Sequence, residues 1–174
     1  LPDPEQSIVF PASHCPHCNS SLHWYENIPI FSYLALRGRC GHCKAPISLQ
    51  YPLVELLMAV ITVALVAKFH FSIATIGYFL FAASLLVIIF IDIKLQIIPD
   101  VISLPGIIAG FAFSLVSDTV TWQESLIGLL LGGGVLYTIA LLYTLLRKID
   151  GMGGGDIKLL AMIGAWLGWQ SLPF

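Results

Sequence analysis

The sequence predicts an all-α polytopic membrane protein: a helix bundle that follows a small polar module. Hydrophobic residues make up 57% of the 174 residues, charged residues make up 10%, and the mean hydropathy is +0.89. A soluble domain typically has about 25% charged residues. The apolar residues fall in blocks after Pro52, as membrane spans in lipid require. The net charge of −2 offers no basic surface, so we expect no nucleic-acid partner.

Residues 1–51 are rich in Pro, His and Cys and have too little apolar periodicity for a large core. Cys15 and Cys18 form one C-x2-C pair, and Cys40 and Cys43 form a second pair after 21 intervening residues. Two residues between cysteines let a tight turn present both sulfurs to one tetrahedral ion, and two such turns complete its coordination. We therefore predict a zinc-ribbon-like module whose folding depends on the metal.

Three alternatives compete with four-cysteine zinc ligation. Disulfides are disfavoured if the module faces the reducing cytoplasm. A thioredoxin-like redox motif fits one pair, but no βαβ pattern surrounds it and the motif is duplicated. A histidine can also replace one cysteine as a ligand. The candidates for that role are His14, His17, His23 and His42.

Residues 52–174 are predicted to form the membrane bundle. Its five expected spans are about 52–70, 73–91, 100–117, 125–146 and 157–172. Pro105 lies inside the third span and should kink it, so a neighbour in the bundle must satisfy the carbonyl that the proline leaves free. Glycines four residues apart recur and favour close helix packing in lipid. These pairs are Gly106 with Gly110, Gly128 with Gly132, and Gly164 with Gly168.

The loop charges predict the orientation of the bundle. Most basic residues fall in loops on one side: Arg37, Arg39, Lys44, Lys94, Arg147, Lys148 and Lys158. The other side has Lys68, with Asp118 and Glu124 in its second loop. The positive-inside rule therefore predicts that the cysteine module and the loops that bear Asp92 and Asp156 face the cytoplasm.

Asp92 and Asp156 are the strongest candidates for catalysis. Each adjoins an apolar run, where an ionisable group is costly to desolvate and is therefore suspected of a function. Two carboxylates in one site can share a proton, which leaves one as acid and one as base for hydrolysis of a peptide bond by water. The structural alternative is helix capping by Asp156 and Asp100. Asp92 ends a span, where its charge opposes the helix dipole, so capping does not explain it.

Several neighbouring residues are candidates for supporting roles. The glycine run that includes Gly153 and Gly155 lacks the Gly-Lys-Ser/Thr of a phosphate loop, and we expect it to let backbone pass close to a neighbour or to an extended peptide. Lys94 and Lys158 either extend to lipid headgroups or neutralise a nearby carboxylate. Glu55 is either a first-turn helix acid in the membrane interface or part of a second site that faces the bundle.

These residues together resemble the type IV prepilin peptidases, bacterial inner-membrane aspartic proteases that are often also N-methyltransferases. The resemblance covers nearly the whole chain and includes the paired cysteines. Its further motifs are Trp24–Pro29, Ser32–Leu34, Arg37–Cys40, Tyr51–Glu55, Asp92–Asp100 and Gly153–Leu159.

The resemblance implies that Asp92 and Asp156 are the catalytic pair and that Asp100 supports them. It implies prepilin or pseudopilin substrates, with cleavage at the cytoplasmic face of the inner membrane. It also implies methylation of the new N-terminus from S-adenosylmethionine. The family normally has a further span before Leu1 and more helix after Phe174, so we expect the chain to be part of a longer one. Two alternatives remain: a peptidase without methyltransferase activity, and a non-enzymatic membrane scaffold whose zinc ribbon recruits a partner.

Overall fold

A computed structural model of the protein describes residues 14–15, 17–28, 30–147 and 153–173. Its elements are a 3-10 helix at Trp24–Asn27, α1 (Phe31–Ala35), α2 (Gln50–Phe69), α3 (Ile73–Leu95), α4 (Asp100–Ser114), α5 (Trp122–Arg147), α6 (Gly154–Leu167) and a 3-10 helix at Trp169–Ser171. The described residues contain isolated β-bridges but no strand. The all-α prediction is confirmed.

The chain divides into two compact units, residues 1–60 and residues 61–174. The sequence predicts a boundary after residue 51, and that boundary stays a prediction. The first unit holds the cysteine module and the start of α2. The second unit holds the rest of α2 and helices α3 to α6.

Among the described residues, α2, α3 and α5 are long and apolar enough to cross a membrane. At about 1.5 Å per residue, the 20 residues of α2 extend about 30 Å, which is the thickness of the hydrocarbon core. Helices α4 and α6 have 15 and 14 residues, so each extends only about 21–22 Å. All five helices lie where the sequence predicts spans, and the count of five spans stays a prediction.

The core of the second unit lies where α3, α4 and α6 meet. Its buried members are Tyr78, Phe81, Ile88, Phe113, Met162 and Trp166. The Trp166 ring stacks on Phe81 and on Phe113, with centroid distances of 5.1 and 5.0 Å. Aromatic pairs of this kind stabilise a core by about 0.5–1.5 kcal/mol beyond the area that they bury. This cluster holds α6 against α3 and α4.

Helix α4 continues through Pro105. The indole N–H of Trp166 donates a 2.8 Å hydrogen bond to the carbonyl oxygen of Gly106, the residue after the proline. A neighbouring helix therefore donates a hydrogen bond to α4 beside the proline, but not to the carbonyl for which the sequence predicts one. It reaches Gly106, whereas the carbonyl that the proline itself deprives of a donor is that of Val101, four residues earlier.

Glycines bring α5 and α6 into backbone contact. A Cβ atom on Gly128 would overlap the carbonyl oxygen of Gly164, and the reverse also holds. A Cβ on Gly132 would lie 2.5 Å from the carbonyl oxygen of Leu160. The buried hydroxyl of Ser125 donates to the carbonyl of Ala165 at 2.6 Å. The small residues pack as the sequence predicts, and they fix the position of α6 and hence of its first turn.

Candidate functional site

A cleft of about 270 Å³ lies where the end of α3, the segment that follows it and the start of α6 meet. Its lining residues are Asp92, Gln96, Ile97, Ile98, Gly153, Gly155 and Asp156. The two aspartates are far apart in the sequence, yet both line this cleft. The geometry therefore meets the first requirement for two carboxylates to act on one water molecule.

Asp92 lies in the last turn of α3. The turn ends at Gln96, which adopts the left-handed conformation (φ 53°, ψ 40°) and donates its backbone N–H to the Asp92 carbonyl at 2.8 Å. The Asp92 side chain is exposed, and no described residue donates a hydrogen bond to its carboxylate. A negative charge at this end of a helix opposes the dipole. The position therefore costs stability, and no structural contact compensates for it within the described residues.

Asp156 is the third residue of α6, and the N-cap is Gly153. Asp100 is the first residue of α4, and the N-cap of that helix is Pro99. Neither helix start has a side-chain capping bond, so the capping interpretations of both aspartates are wrong. The exposed Asp156 carboxylate gains only the favourable first-turn dipole.

Gly155 lets α6 approach the segment after α3. A Cβ atom at Gly155 would lie 2.9 Å from the Cβ of Ile98 and 3.5 Å from its Cγ1 and Cδ1. A Cβ at the adjacent Gly154 would meet no atom within 4 Å. Close passage of backbone past a neighbour, one of the two uses that the sequence predicts for the glycine run, therefore occurs at Gly155. It brings the two sides of the cleft together.

Lys158 pairs with Asp100, and its Nζ lies 2.7 and 2.8 Å from the two carboxylate oxygens. Of the two interpretations of Lys158, neutralisation of a carboxylate is the one that the geometry supports. The pair is well exposed, and such pairs contribute about 0–1 kcal/mol. Its main consequence is electrostatic, because the charge of Lys158 is directed to Asp100 and not to Asp92 or Asp156.

Glu55 lies in the first unit. Its Oε2 accepts a 3.0 Å hydrogen bond from the backbone N–H of Ile30, a residue with φ 63°. A positive φ is strained for a β-branched residue. The interpretation of Glu55 as a first-turn acid is wrong, because α2 begins at Gln50 and Glu55 lies in its second turn. The carboxylate instead holds the strained backbone at Ile30.

The cleft includes three residues that the sequence did not single out: Gln96, Ile97 and Ile98. They lie between Asp92 and Asp100 in the sequence. One signal was available, because a residue that precedes a proline, as Ile98 does, is restricted to extended conformations. The approach of α6 to Ile98 had no such local signal.

The four cysteines form a second candidate site. Their Sγ atoms all lie within 4.8 Å of one another, and the cysteines are free thiols. The Sγ atoms of Cys15 and Cys43 are 3.8 Å apart. Two thiolates about 2.3 Å from a tetrahedral zinc ion are separated by about 3.8 Å. The donor set therefore fits a tetrahedral metal ion.

Two matching turns position these sulfurs. In the first, the N–H of Asn19 donates to the carbonyl of Cys15 at 2.8 Å, and in the second the N–H of Lys44 donates to that of Cys40 at 3.1 Å. Asn19 and Lys44 both adopt positive φ, 52° and 61°. The duplicated C-x2-C motif is thus a duplicated local structure. This repetition is what directs two pairs of sulfurs toward one point.

Two of the thiols have pKa values that are shifted in opposite directions. A side-chain hydrogen bond and then a backbone hydrogen bond from Ser20 lower the pKa of Cys18 to about 6. The backbone N–H of Ala45 lowers the pKa of Cys43, but burial and the neighbouring thiols outweigh it and raise that pKa to about 11. Four clustered thiolates repel one another. A bound divalent cation removes that repulsion, so the thiols lose their protons when the metal binds.

No histidine belongs to the metal-binding group within the described residues. The ring of His23 instead stacks on Tyr25 and on His42, with centroid distances of 5.2 and 6.1 Å. Four-cysteine ligation is therefore the arrangement that the described residues support.

Comparisons with known proteins match nearly the whole chain. The profile of the bacterial peptidase A24 N-terminal domain matches residues 1–69, and that of the type IV leader peptidase family matches residues 79–174. A prepilin leader peptidase/N-methyltransferase of Aeromonas hydrophila is 43% identical over 98% of this chain and 59% of its own length. Proteins with the same name from Burkholderia pseudomallei and Neisseria gonorrhoeae are 42% and 40% identical, each over 96% of this chain. The chain spans 54% and 58% of their respective lengths. No solved structure matches it.

Proposed function

Because this chain belongs to the type IV leader peptidase family, we propose that it is a membrane-embedded aspartic endopeptidase that removes the leader of type IV prepilins or pseudopilins. The observation that carries the proposal is the cleft that Asp92 and Asp156 both line. Their carboxylates accept no hydrogen bond from the described residues, so they are open to water and to substrate.

The proposed reaction needs no covalent intermediate. One aspartate, ionised, removes a proton from water, and the water oxygen bonds to the carbonyl carbon of the scissile peptide. The other aspartate, protonated, donates a hydrogen bond to the carbonyl oxygen and later gives its proton to the departing amine. The C–N bond then breaks, leaving a carboxyl group and a free amine. Two carboxylates that line one site can divide the roles of acid and base in this way.

We place this reaction at the cytoplasmic face of the bacterial inner membrane. The support is the concentration of basic residues in the loops on the side of Lys94 and Lys158. Asp92 ends α3 and Asp156 begins α6, so the cleft lies at helix ends and not at the middle of a span. A substrate whose apolar helix stays in lipid can then present its leader junction at the interface.

The ion of the cysteine module is proposed to be zinc, with Cys15, Cys18, Cys40 and Cys43 as ligands. Four thiolates in tetrahedral arrangement are typical of a structural zinc site. The metal would hold together a unit whose described part has little buried apolar core. Its function would be to stabilise that unit.

We further propose methylation of the new N-terminus, which the names of the relatives support. S-adenosylmethionine would supply the methyl group to the amine that cleavage releases. Nothing in the described residues identifies its binding site. Mass spectrometry of a processed pilin distinguishes the alternatives: loss of the leader alone, or loss of the leader with an added methyl group.

The test of the peptidase compares Asp92→Asn and Asp156→Asn with Asp118→Asn, a matched change at an exposed loop aspartate outside the cleft. Each cleft variant should lower the rate of leader removal by at least about 10²–10⁴-fold, the usual contribution of a general acid or base. The control should cleave normally, and all three should give unchanged circular dichroism spectra. Normal cleavage by either cleft variant would remove that aspartate from the mechanism. A scaffold protein would tolerate both changes and keep its partner.

A further inference from the structure

The segment between α3 and α4 forms one wall of the cleft and is not helical. Gln96 ends α3 in a left-handed turn, and Pro99 is extended, with φ −72° and ψ 125°. Ile98 precedes that proline and is therefore restricted to extended conformations. Ile97 and Ile98 thus form a short non-helical segment, extended at Ile98, that lines the cleft with Asp92 and Asp156.

The backbone of this segment has free hydrogen-bonding groups. The N–H of Gln96 and the carbonyl of Pro99 are used by the adjoining helices. Within the described residues, no hydrogen bond uses the N–H or the carbonyl of Ile97 or Ile98. Backbone groups at a membrane interface need partners, which are water in the empty cleft and can be a peptide in the occupied one.

The side chains of Ile97 and Ile98 differ in exposure, as those of successive residues in an edge strand do. Ile98 packs on the core of the second unit and lies against Gly155, which fixes the segment in place. The side chain of Ile97 is 55% exposed. Successive residues of an extended strand point in opposite directions, and its N–H and C=O groups lie along its edges. The segment is therefore anchored through Ile98 and has unpaired backbone groups beside the cleft.

We infer that the substrate binds in this cleft as an extended peptide that pairs, as an added β-strand, with the backbone of Ile97 and Ile98. This inference rests on the proposed function and concerns how that site holds its substrate. Addition of a strand to an exposed backbone edge is a general mode of peptide recognition. It would hold the scissile carbonyl at a fixed position between Asp92 and Asp156.

The unpaired backbone of the segment favours an extended peptide over a helix. A helix satisfies its own backbone groups and has none to pair with Ile97 and Ile98. A helical substrate must therefore unwind at the leader junction before it is cleaved.

The test uses substrate peptides that carry a single N-methyl group, placed in turn on each amide within three residues of the scissile bond but not on the scissile amide. An N-methyl group removes a donor and adds bulk on one edge of a strand only. Strand pairing predicts a loss of about tenfold in kcat/KM at a position that faces the segment, which is the upper range for one net hydrogen bond. It predicts a loss of less than about twofold at the immediate neighbours of that position. Tolerance at every position, or equal losses at consecutive positions, would overturn the pairing.

A second measurement ties the peptide to this segment. A photo-crosslinking amino acid in place of Ile97 should label substrate residues that flank the scissile bond, whereas the same amino acid in place of Ile108, which is 71% exposed on α4, should not. Labelling from position 108 alone would contradict the inference. If the unmethylated peptide is not cleaved at all, the proposed function fails. If it is cleaved but shows no position-dependent loss, only the strand pairing fails.

Discussion

Gly155→Ala tests whether the close approach of α6 to Ile98 builds the cleft. The new Cβ would lie 2.9 Å from the Cβ of Ile98, whereas nonbonded carbons pack at about 3.5–4.0 Å. The Ile98 atom is attached directly to the backbone, so no change of rotamer moves it away. The two segments must therefore separate by about 0.6–1 Å.

That separation acts on the geometry between Asp92 and Asp156, because the two aspartates lie on opposite sides of the contact. A misplacement of about 1 Å can lower a rate by about 10²-fold. We expect Gly155→Ala to lower kcat/KM for leader removal by about 10–100-fold. Overpacking costs about 1–3 kcal/mol of stability, and the better helix propensity of alanine offsets up to about 1 kcal/mol of it. The protein should therefore stay folded.

The matched control is Gly154→Ala, whose Cβ meets nothing within 4 Å in the same turn of α6. It should cleave within about twofold of the unchanged protein. The assay is the initial rate of leader removal in membranes, together with thermal unfolding of each purified variant. Adding Ile98→Ala to Gly155→Ala should not restore the rate, because the offending Cβ remains. Equal rates for the two single variants would refute this account of the cleft.

Three further predictions concern the metal and the packing. Cys40→Ser should lower bound zinc from about one ion per chain to well below half an ion, whereas His42→Ala should keep it. Elemental analysis measures both. Loss of zinc in both variants would indicate that a histidine is a ligand. Gly164→Ala should destabilise the protein by several kcal/mol, because its Cβ would overlap the backbone of α5 and backbone cannot move aside. Gly134→Ala meets open space and, through the better helix propensity of alanine, should unfold at the same or a slightly higher temperature. Trp166→Phe keeps an aromatic ring but removes the hydrogen bond to α4, and should cost about 0.5–1.5 kcal/mol, the net contribution of one hydrogen bond; an unchanged unfolding temperature would show that this bond contributes nothing.

Local chemistry explains what could be predicted. The helices could be read from the sequence because an apolar run in lipid must satisfy its own backbone, and their positions match the structure closely. The paired cysteines were informative for a similar reason, since two residues of spacing define a turn around one ion. The resemblance to the prepilin peptidases depended on contiguous motifs, and the family profiles confirm it.

The contacts between distant segments could not be read in this way. Asp100 was a candidate helix cap, but its carboxylate accepts hydrogen bonds from Lys158. Glu55 was a candidate first-turn acid, but its carboxylate accepts a hydrogen bond from the backbone N–H of Ile30. Each of these contacts depends on how a helix is rotated about its axis and where its first residue lies, and neither is encoded by spacing alone.

The sequence by itself determined that this protein is helical and membrane-embedded and that four thiols can share an ion. It also showed that two aspartates adjoin apolar runs, where a charged carboxylate is costly to desolvate. Composition and short-range spacing carry this information. Only the tertiary structure decided that Asp92 and Asp156 line one cleft and that Ile97 and Ile98 form its wall. The physical reason is packing. Glycines on α5 and α6 and the Trp166 cluster set the position of α6, and that position determines which residues its first turn meets.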